Sequence, residues 1–362
     1  MRLYFSAFVF LLTVNCHMKK IIVQAWGGIG DMIWLTPSLI ALKRKFPKSE
    51  ITVISQETTP LDVLKGSGIV NKCFSLDIPL FKGISGKLKL LKKIMSIKPD
   101  IAISNSASPC FTSSFISFLS GAKIRIGQNR KWRGFLNTII VPSYNDIHEV
   151  EANLNIFSNI GVSTDSKELF MQVSEQDKVF ASRWLTSKKV CPGDLLIGIH
   201  PGPAGKYGRQ WDINKFVELC GLIGKNKKLK IIVFGGPNEE SLVKYISSYL
   251  DGVLGYVGAS TLNRTASLIS KCSLFISNDS GLTHIASTVG VPVIAIFGPT
   301  VFWQTRPRGE KVAVIRKDLP CSPCYKVGKP IRCETLECLK QITVNEVFKE
   351  ADKMLSIIQS KG

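Results

Sequence analysis

Acidic residues are scarce in this chain: 27 Asp and Glu stand against 47 Lys and Arg, a formal net charge of +20 over 362 residues. Residues 18–165 hold 19 basic and 10 acidic side chains, residues 166–362 hold 27 and 17, and Arg2 lies outside both. The excess is therefore spread over the whole body, which excludes a basic tail. It points to anionic partners: nucleic acid, phosphorylated small molecules or an anionic membrane face. A general solubility role for the charge is the plainer alternative. The sequence also lacks the run of about 18 to 20 apolar residues that a spanning helix needs. Ten cysteines in a chain of this size do not make a disulfide scaffold. The length favours about two domains of ordinary size.

The first 17 residues differ in character from the rest of the chain. Leu3–Val14 is an apolar stretch of signal-peptide length, yet Asn15-Cys16-His17 offers no small-x-small cleavage site. Met18-Lys19-Lys20 then leads into the buried-strand pattern Ile21-Ile22-Val23. The expected reading is a start at Met18 with residues 1–17 a leader or misassigned segment; secretion is the alternative.

From Met18 onward, short apolar strands alternate with longer amphipathic stretches, twice over. The first set reads Ile21–Ala25, Ile51–Ser55, Lys72–Leu76, Ile101–Ser104 and Lys123–Ile126, with a helical pattern over Asp31–Phe46. The second set reads Leu195–His200, Ile231–Phe234, Leu274–Ser277 and Val293–Phe297. Such alternation predicts βαβ units and parallel sheets, hence two Rossmann-like doubly wound α/β domains facing across a cleft. The join falls between Asn159 and Leu195, giving domains 18–165 and 166–362. Ser174–Ser187 reads as a connecting helix and Thr343–Gln359 as a closing one.

Four loops at strand ends carry chemistry. Trp26-Gly27-Gly28-Ile29-Gly30-Asp31 joins the first strand to the first helix, where glycines permit close backbone approach. A dinucleotide fingerprint is one reading, but Ile33 stands where its third glycine belongs, and Glu57 is a poor ribose-gripping acid for an NAD enzyme. Asp31 at a positive helix end suits a base or a hydroxyl clamp and would repel a pyrophosphate; a plain helix-start charge is the alternative. Ser277-Asn278-Asp279-Ser280-Gly281-Leu282-Thr283-His284 is a second strand-to-helix turn, able to offer N–H groups and the Ser280 hydroxyl to a diphosphate. No Gly-x-Ser-x-Gly elbow surrounds Ser280, so a hydrolase triad with His284 is weakly supported. His200-Pro201-Gly202-Pro203 opens a loop through Lys206 and Arg209 to Trp211, bringing cations beside a glycine turn. Phe234-Gly235-Gly236-Pro237-Asn238-Glu239-Glu240 places an acid for ribose hydroxyls, with Glu240 as rival to Glu239. Ligands of open α/β sheets bind at the carboxyl ends of strands, where all four loops lie.

Near the C-terminus, Cys321-x2-Cys324-x8-Cys333-x4-Cys338 could share one metal or serve as reduced structural thiols. No Asp-x-Asp follows a strand of the second half. No nucleic-acid-binding motif accompanies the charge.

The order of these motifs resembles glycosyltransferase family 9, the ADP-heptose:lipopolysaccharide heptosyltransferases. The matching segments are Gly30-Asp31 with Leu35-Thr36-Pro37-Ser38-Leu39, His200-Pro201-Gly202 with Arg209-x-Trp211, and Gly235-Gly236-Pro237-x-Glu239. The most specific run is Asn278–Ala286, followed by Gly290-x-Pro292 and Phe297-Gly298-Pro299-Thr300. The resemblance covers about Met18 to the C-terminus and implies a GT-B fold, with acceptor in the first domain and nucleotide sugar in the second. It implies inverting transfer of heptose from ADP-heptose to the lipopolysaccharide inner core, with no cofactor and no obligatory metal. Asp31 falls at the catalytic base, and Gly30 beside it at the acceptor. Arg209, with Lys206 as rival cation, Glu239, Asp279, Ser280, Gly281 and His284 fall on the donor. A relative using another nucleotide sugar, or a GT-B sugar-nucleotide epimerase, is the alternative. The implied partners are an ADP-sugar, a lipid A-linked core acceptor and the anionic inner membrane, with no nucleic acid. The enzyme is then expected to be cytoplasmic and peripheral on that membrane, with Arg130, Lys131 and Arg133 facing acceptor and lipid.

Overall fold

A computed structural model describes residues 19–81, 83–144, 146–202, 208–226, 228–258, 261–325 and 333–360. Residues 1–17 and Lys206 lie outside the described residues. The chain divides into two compact units, 1–172 and 173–362.

The first unit runs β1 (Lys20–Ala25), α1 (Ile29–Lys45), β2 (Glu50–Ser55), β3 (Lys72–Ser75), α2 (Gly83–Ile97), β4 (Ile101–Ser104), α3 (Cys110–Leu119), β5 (Ile124–Gln128), β6 (Ile139–Val141) and α4 (Glu149–Ser158). Its sheet has the order β3-β2-β1-β4-β5-β6, every neighbouring pair parallel. β1 lies in the middle and is buried along all but its first residue, which is why it reads as an unbroken apolar run. Helix α1 contains Pro37, which has no N–H to give the carbonyl of Ile33. The Thr36 hydroxyl donates to that carbonyl instead, at 2.6 Å, and accepts the Phe170 N–H at 3.0 Å. This stitch ties the segment after α4 back to α1. It keeps the chain around Phe170 with the first unit, which ends at Gln172.

The second unit runs α5 (Glu175–Ser187), β7 (Leu195–His200), α6 (Ile213–Gly224), β8 (Leu229–Gly235), α7 (Glu240–Tyr249), β9 (Val253–Val257), α8 (Leu262–Ile269), β10 (Leu274–Asn278), α9 (Gly281–Thr288), β11 (Val293–Ile296), α10 (Phe302–Thr305), β12 (Val312–Ile315), α11 (Glu337–Lys340) and α12 (Val344–Gln359). The sheet order is β12-β11-β10-β7-β8-β9, again all parallel. Strands β6, β9 and β12, which the sequence pattern did not separate, are three of the four outer strands. β9 and β12 are only partly buried, so they lack a continuous apolar run. Trp211 is fully buried against Phe216, and its indole N–H donates to the Ile342 carbonyl at 3.0 Å, which locks the approach to α12 into the core.

Cys338 is buried, Cys333 half-buried, and Cys321 and Cys324 are exposed. Among the described residues no three His, Cys, Asp or Glu side chains are grouped to hold a metal ion. Nor, among them, is any helix long and apolar enough to cross a membrane.

Helix α12 starts at a capping box: the Thr343 hydroxyl accepts the Glu346 N–H, and the Glu346 carboxylate accepts the Thr343 N–H at 2.8 Å. The Lys317 ammonium and these bonds pull the Glu346 pKa from 4.5 down to about 2. The carboxylate is favoured in the folded state, so its contribution is present above about pH 4.5 and lost as the pH falls toward 2. Thr343→Ala should lower stability by about 1 kcal/mol in urea unfolding at neutral pH.

Candidate active site

Each sheet reverses its strand order once, between β1 and β4 in the first unit and between β7 and β10 in the second. The candidate residues gather at the carboxyl ends of these strands, where open α/β sheets bind ligands.

In the first unit, Gly27 turns with φ +102° and Gly28 caps α1. The half-buried Asp31 carboxylate folds back over this turn, and its Oδ2 accepts the Gly28 N–H at 2.8 Å. A Cβ on Gly27 would lie 2.3 Å from the Asp31 carboxyl carbon, so the turn has room for the acid only because residue 27 has no side chain. Asn105, just past β4, fixes the turn from the neighbouring strand. Its Oδ1 accepts the Trp26 N–H at 3.1 Å and its Nδ2 donates to the Trp26 carbonyl at 2.8 Å. The sequence reading passed over Asn105, whose role depends on a partner 79 positions away. Gly30 is buried in the first turn of α1.

Arg130 follows β5 and is held by three acceptors: Gln128 Oε1 at 3.0 Å, Ser143 Oγ at 3.0 Å and the Ser106 carbonyl at 3.3 Å. Lys131 and Arg133 beside it are exposed.

The second unit brings most of its candidates into two contacts. His200 ends β7, and its Nε2 lies 3.1 Å from Glu239 Oε2, which also accepts the Gly236 N–H at 2.8 Å. The other ring nitrogen, Nδ1, lies 2.9 Å from Ser280 Oγ. A carboxylate accepts only, so a neutral imidazole places its proton on Nε2 and leaves Nδ1 to accept from the Ser280 hydroxyl. Ser277 and Thr283 complete a buried cluster around that hydroxyl, at 3.2 and 3.0 Å. The Ser280 hydroxyl is thus committed inside the protein, and what Ser280 offers a ligand is its backbone N–H. The histidine that meets Ser280 is His200, 80 positions away, and not the nearby His284, which is buried on α9. A Cβ on Gly202 would lie 1.9 Å from Glu239 Oε1, so this acid too sits over a bare glycine.

Asp279, buried at the end of the β10 turn, meets the Arg209 guanidinium at 3.4 Å. Burial pushes its pKa up, while Arg209 and the Thr300 hydroxyl pull it back. Gly281 begins α9, and the Ser280 hydroxyl makes no capping bond to the helix backbone. Helix N–H groups and a guanidinium therefore converge on one loop, an arrangement suited to negative charge. Asn278 supports it: its Oδ1 accepts the Trp211 N–H at 3.1 Å, and its Nδ2 donates to the Pro201 carbonyl at 2.8 Å.

One Rossmann-like unit thus carries a loop suited to negative charge, and the other a glycine-framed acid. The model of glycosyltransferase family 9 (heptosyltransferase) matches residues 88–334. The chain belongs to this family. It is 24% identical over 347 residues to lipooligosaccharide heptosyltransferase 2 of Campylobacter jejuni, covering 93% of this chain and 98% of that protein. The solved structure of E. coli ADP-heptose lipopolysaccharide heptosyltransferase II matches with a TM-score of 0.74 at 21% identity, over 95% of this chain and all of that one. A family 9 glycosyltransferase from Veillonella parvula matches with a TM-score of 0.77 at 23% identity, over 93% of this chain and 97% of that one. The fold is that of these enzymes, as the motif order implied.

Removing the imidazole takes one hydrogen-bond partner from Glu239 and one from Ser280, each of which keeps others. His200→Ala should therefore destabilise the chain by about 1 to 3 kcal/mol in urea unfolding, the net worth of two lost hydrogen bonds.

Proposed function

We propose that this heptosyltransferase moves heptose from ADP-heptose to the inner core of lipopolysaccharide, with inversion and without a metal. The observation that carries the reading is the β10–α9 loop, where Arg209 sits 3.4 Å from Asp279 at the start of a helix. A leaving nucleoside diphosphate needs such a place.

Asp31 is the proposed base. As an acceptor hydroxyl attacks the anomeric carbon, its proton passes to the Asp31 carboxylate. The bond from that carbon to the ADP oxygen breaks on the opposite side, which inverts the centre. The charge growing on ADP is met by Arg209 and by the N–H groups of Ser280 and Gly281. Asp279 holds the guanidinium, and buried His284 backs the same helix. Glu239 Oε2 is already engaged with His200 and Gly236, so a ribose grip through this acid runs through Oε1. Gly30, Arg130, Lys131 and Arg133 are assigned to the acceptor side. Lys206 remains the rival cation to Arg209. Residues 18–165 would then serve the acceptor and 166–362 the donor, at the cytoplasmic face of the inner membrane, where lipid-linked core and nucleotide sugar meet.

Incubation with ADP-heptose and a delipidated core oligosaccharide in EDTA, followed by mass spectrometry, tests the reaction; a heptose-sized mass gain is expected. In that assay Asp31→Asn should cut turnover about 10²- to 10⁴-fold while ADP affinity is kept, because the amide oxygen still accepts the Gly28 N–H but the basicity is gone. Near-normal turnover in the variant would remove Asp31 from the mechanism.

Arg209→Ala should weaken ADP binding and slow turnover together, with a loss of about 3 kcal/mol in transition-state stabilisation. Calorimetric titration with ADP beside the rate assay separates the two effects. A larger loss from Lys206→Ala would give the phosphate role to Lys206.

A further inference from the structure

Helix α3 is built inside out. Its buried face carries Cys110, Ser113, Ser114 and Ser117, whereas Phe111, Phe115 and Phe118 are 52%, 43% and 51% exposed. A surface helix of a globular protein normally does the reverse. The inward serines are satisfied: Ser113 donates to the Pro109 carbonyl at 3.0 Å, Ser114 to the Phe111 carbonyl at 3.0 Å, and Ser117 accepts from Gln24 Nε2 at 2.8 Å. Ile116 joins the packed cluster around Ile22, Ile54 and Ile94, so the orientation of the helix is fixed.

Two neighbours extend the outward apolar face. Helix α2, in contact with α3, turns Leu90, Ile94 and Ile97 inward and leaves Ile84, Leu88 and Met95 at 83%, 55% and 51% exposure. The loop after β5 is tied to α3 by the Ser114 hydroxyl, 3.4 Å from the Arg133 carbonyl. That loop holds Trp132 at 85% exposure, with positive φ at both Lys131 (52°) and Trp132 (63°), conformations that cost a non-glycine residue energy. The chain spends backbone strain to hold a tryptophan in the open.

The charge around these groups is one-sided. Residues 78–145 contain eleven Lys and Arg and a single acid, Asp100. A second copy of this face would meet it with the same charge and be repelled. Single-stranded nucleic acid stacks on aromatic rings, but Ile84, Leu88 and Met95 offer it no platform. Apolar side chains rimmed by Lys and Arg, with an interfacial tryptophan, match the boundary between anionic headgroups and acyl chains.

We propose that the outer face of α2, α3 and the Trp132 loop docks on an anionic lipid bilayer, with Phe111, Phe115, Phe118 and Trp132 entering the headgroup–acyl boundary. This deepens the proposed function and rests on it only for the acceptor being lipid-linked.

The test is co-sedimentation of the full chain with phosphatidylglycerol-containing vesicles and with pure phosphatidylcholine vesicles. Wild type should prefer the anionic ones, with binding that weakens as salt rises. Combined Phe111→Ser, Phe115→Ser and Phe118→Ser should reduce partitioning about tenfold or more, with transfer to the delipidated core acceptor unchanged. Doxyl-labelled lipid should quench wild-type fluorescence more than that of Trp132→Phe, a readout that survives if the triple variant folds poorly. Equal vesicle binding by wild type and the triple variant, or equal quenching of Trp132→Phe, would overturn the proposal. So would binding lost only on deleting residues 1–17, self-association abolished by the triple substitution, or a single-stranded oligonucleotide as the preferred ligand of this face. If vesicle binding follows the phenylalanines but no heptose is transferred, the docking surface stands and the reaction assignment falls.

Discussion

Two asparagine amides hold the candidate loops of this protein in place. A doubly wound sheet opens a crevice where its strand order reverses, and the loops there have lost the strand ladder that would otherwise order them. Asn105 spans that gap between β4 and the end of β1, and Asn278 spans it between β10 and the loop leaving β7. Each amide donates with one atom and accepts with the other, so each replaces a missing rung of backbone pairing with a side chain. The glycine turn under Asp31 depends on the first. The positions of Pro201 and Trp211, at either end of the loop that leads to Arg209, depend on the second.

Around Asn278 the polar groups are organised so that little is left to water. The imidazole of His200 uses both nitrogens, the Ser280 hydroxyl lies among His200, Ser277 and Thr283, and Asp279 is opposed by Arg209. Buried polar groups cost most when unpartnered, so these bonds stabilise the cluster. The proposed anion site would gain from that a loop held in place at the start of α9.

Much of this was legible in the amino-acid order alone. The central strands are buried on both faces and therefore read as unbroken apolar runs, and the loops at their ends announce themselves through glycine beside charge. Outer strands such as β9 and β12 did not stand out, because half-exposed strands mix residue types. The importance of Asn105 was invisible since it lies in the pairing with Trp26, far away along the chain. The amino-acid order offers both the backbone N–H groups of this loop and the Ser280 hydroxyl to a ligand, and only the fold shows that the hydroxyl meets His200, 80 positions away. Helix α3 defeats periodicity for a different reason. Its phenylalanines and serines are correctly spaced for an amphipathic helix, but spacing does not say which stripe faces the core.

The two bare glycines have a consequence for how this sequence can drift. The space a side chain would take at residue 27 is filled by the Asp31 carboxyl, and that at residue 202 by the Glu239 carboxyl. A lineage that enlarges the glycine first expels the acid. One that shortens the acid first leaves the glycine still required, at residue 27 by its φ of +102° and at residue 202 by the His200 ring, 2.8 Å from a Cβ there. The acid can therefore be lost in one step, whereas the glycine stays fixed even after its acid has gone.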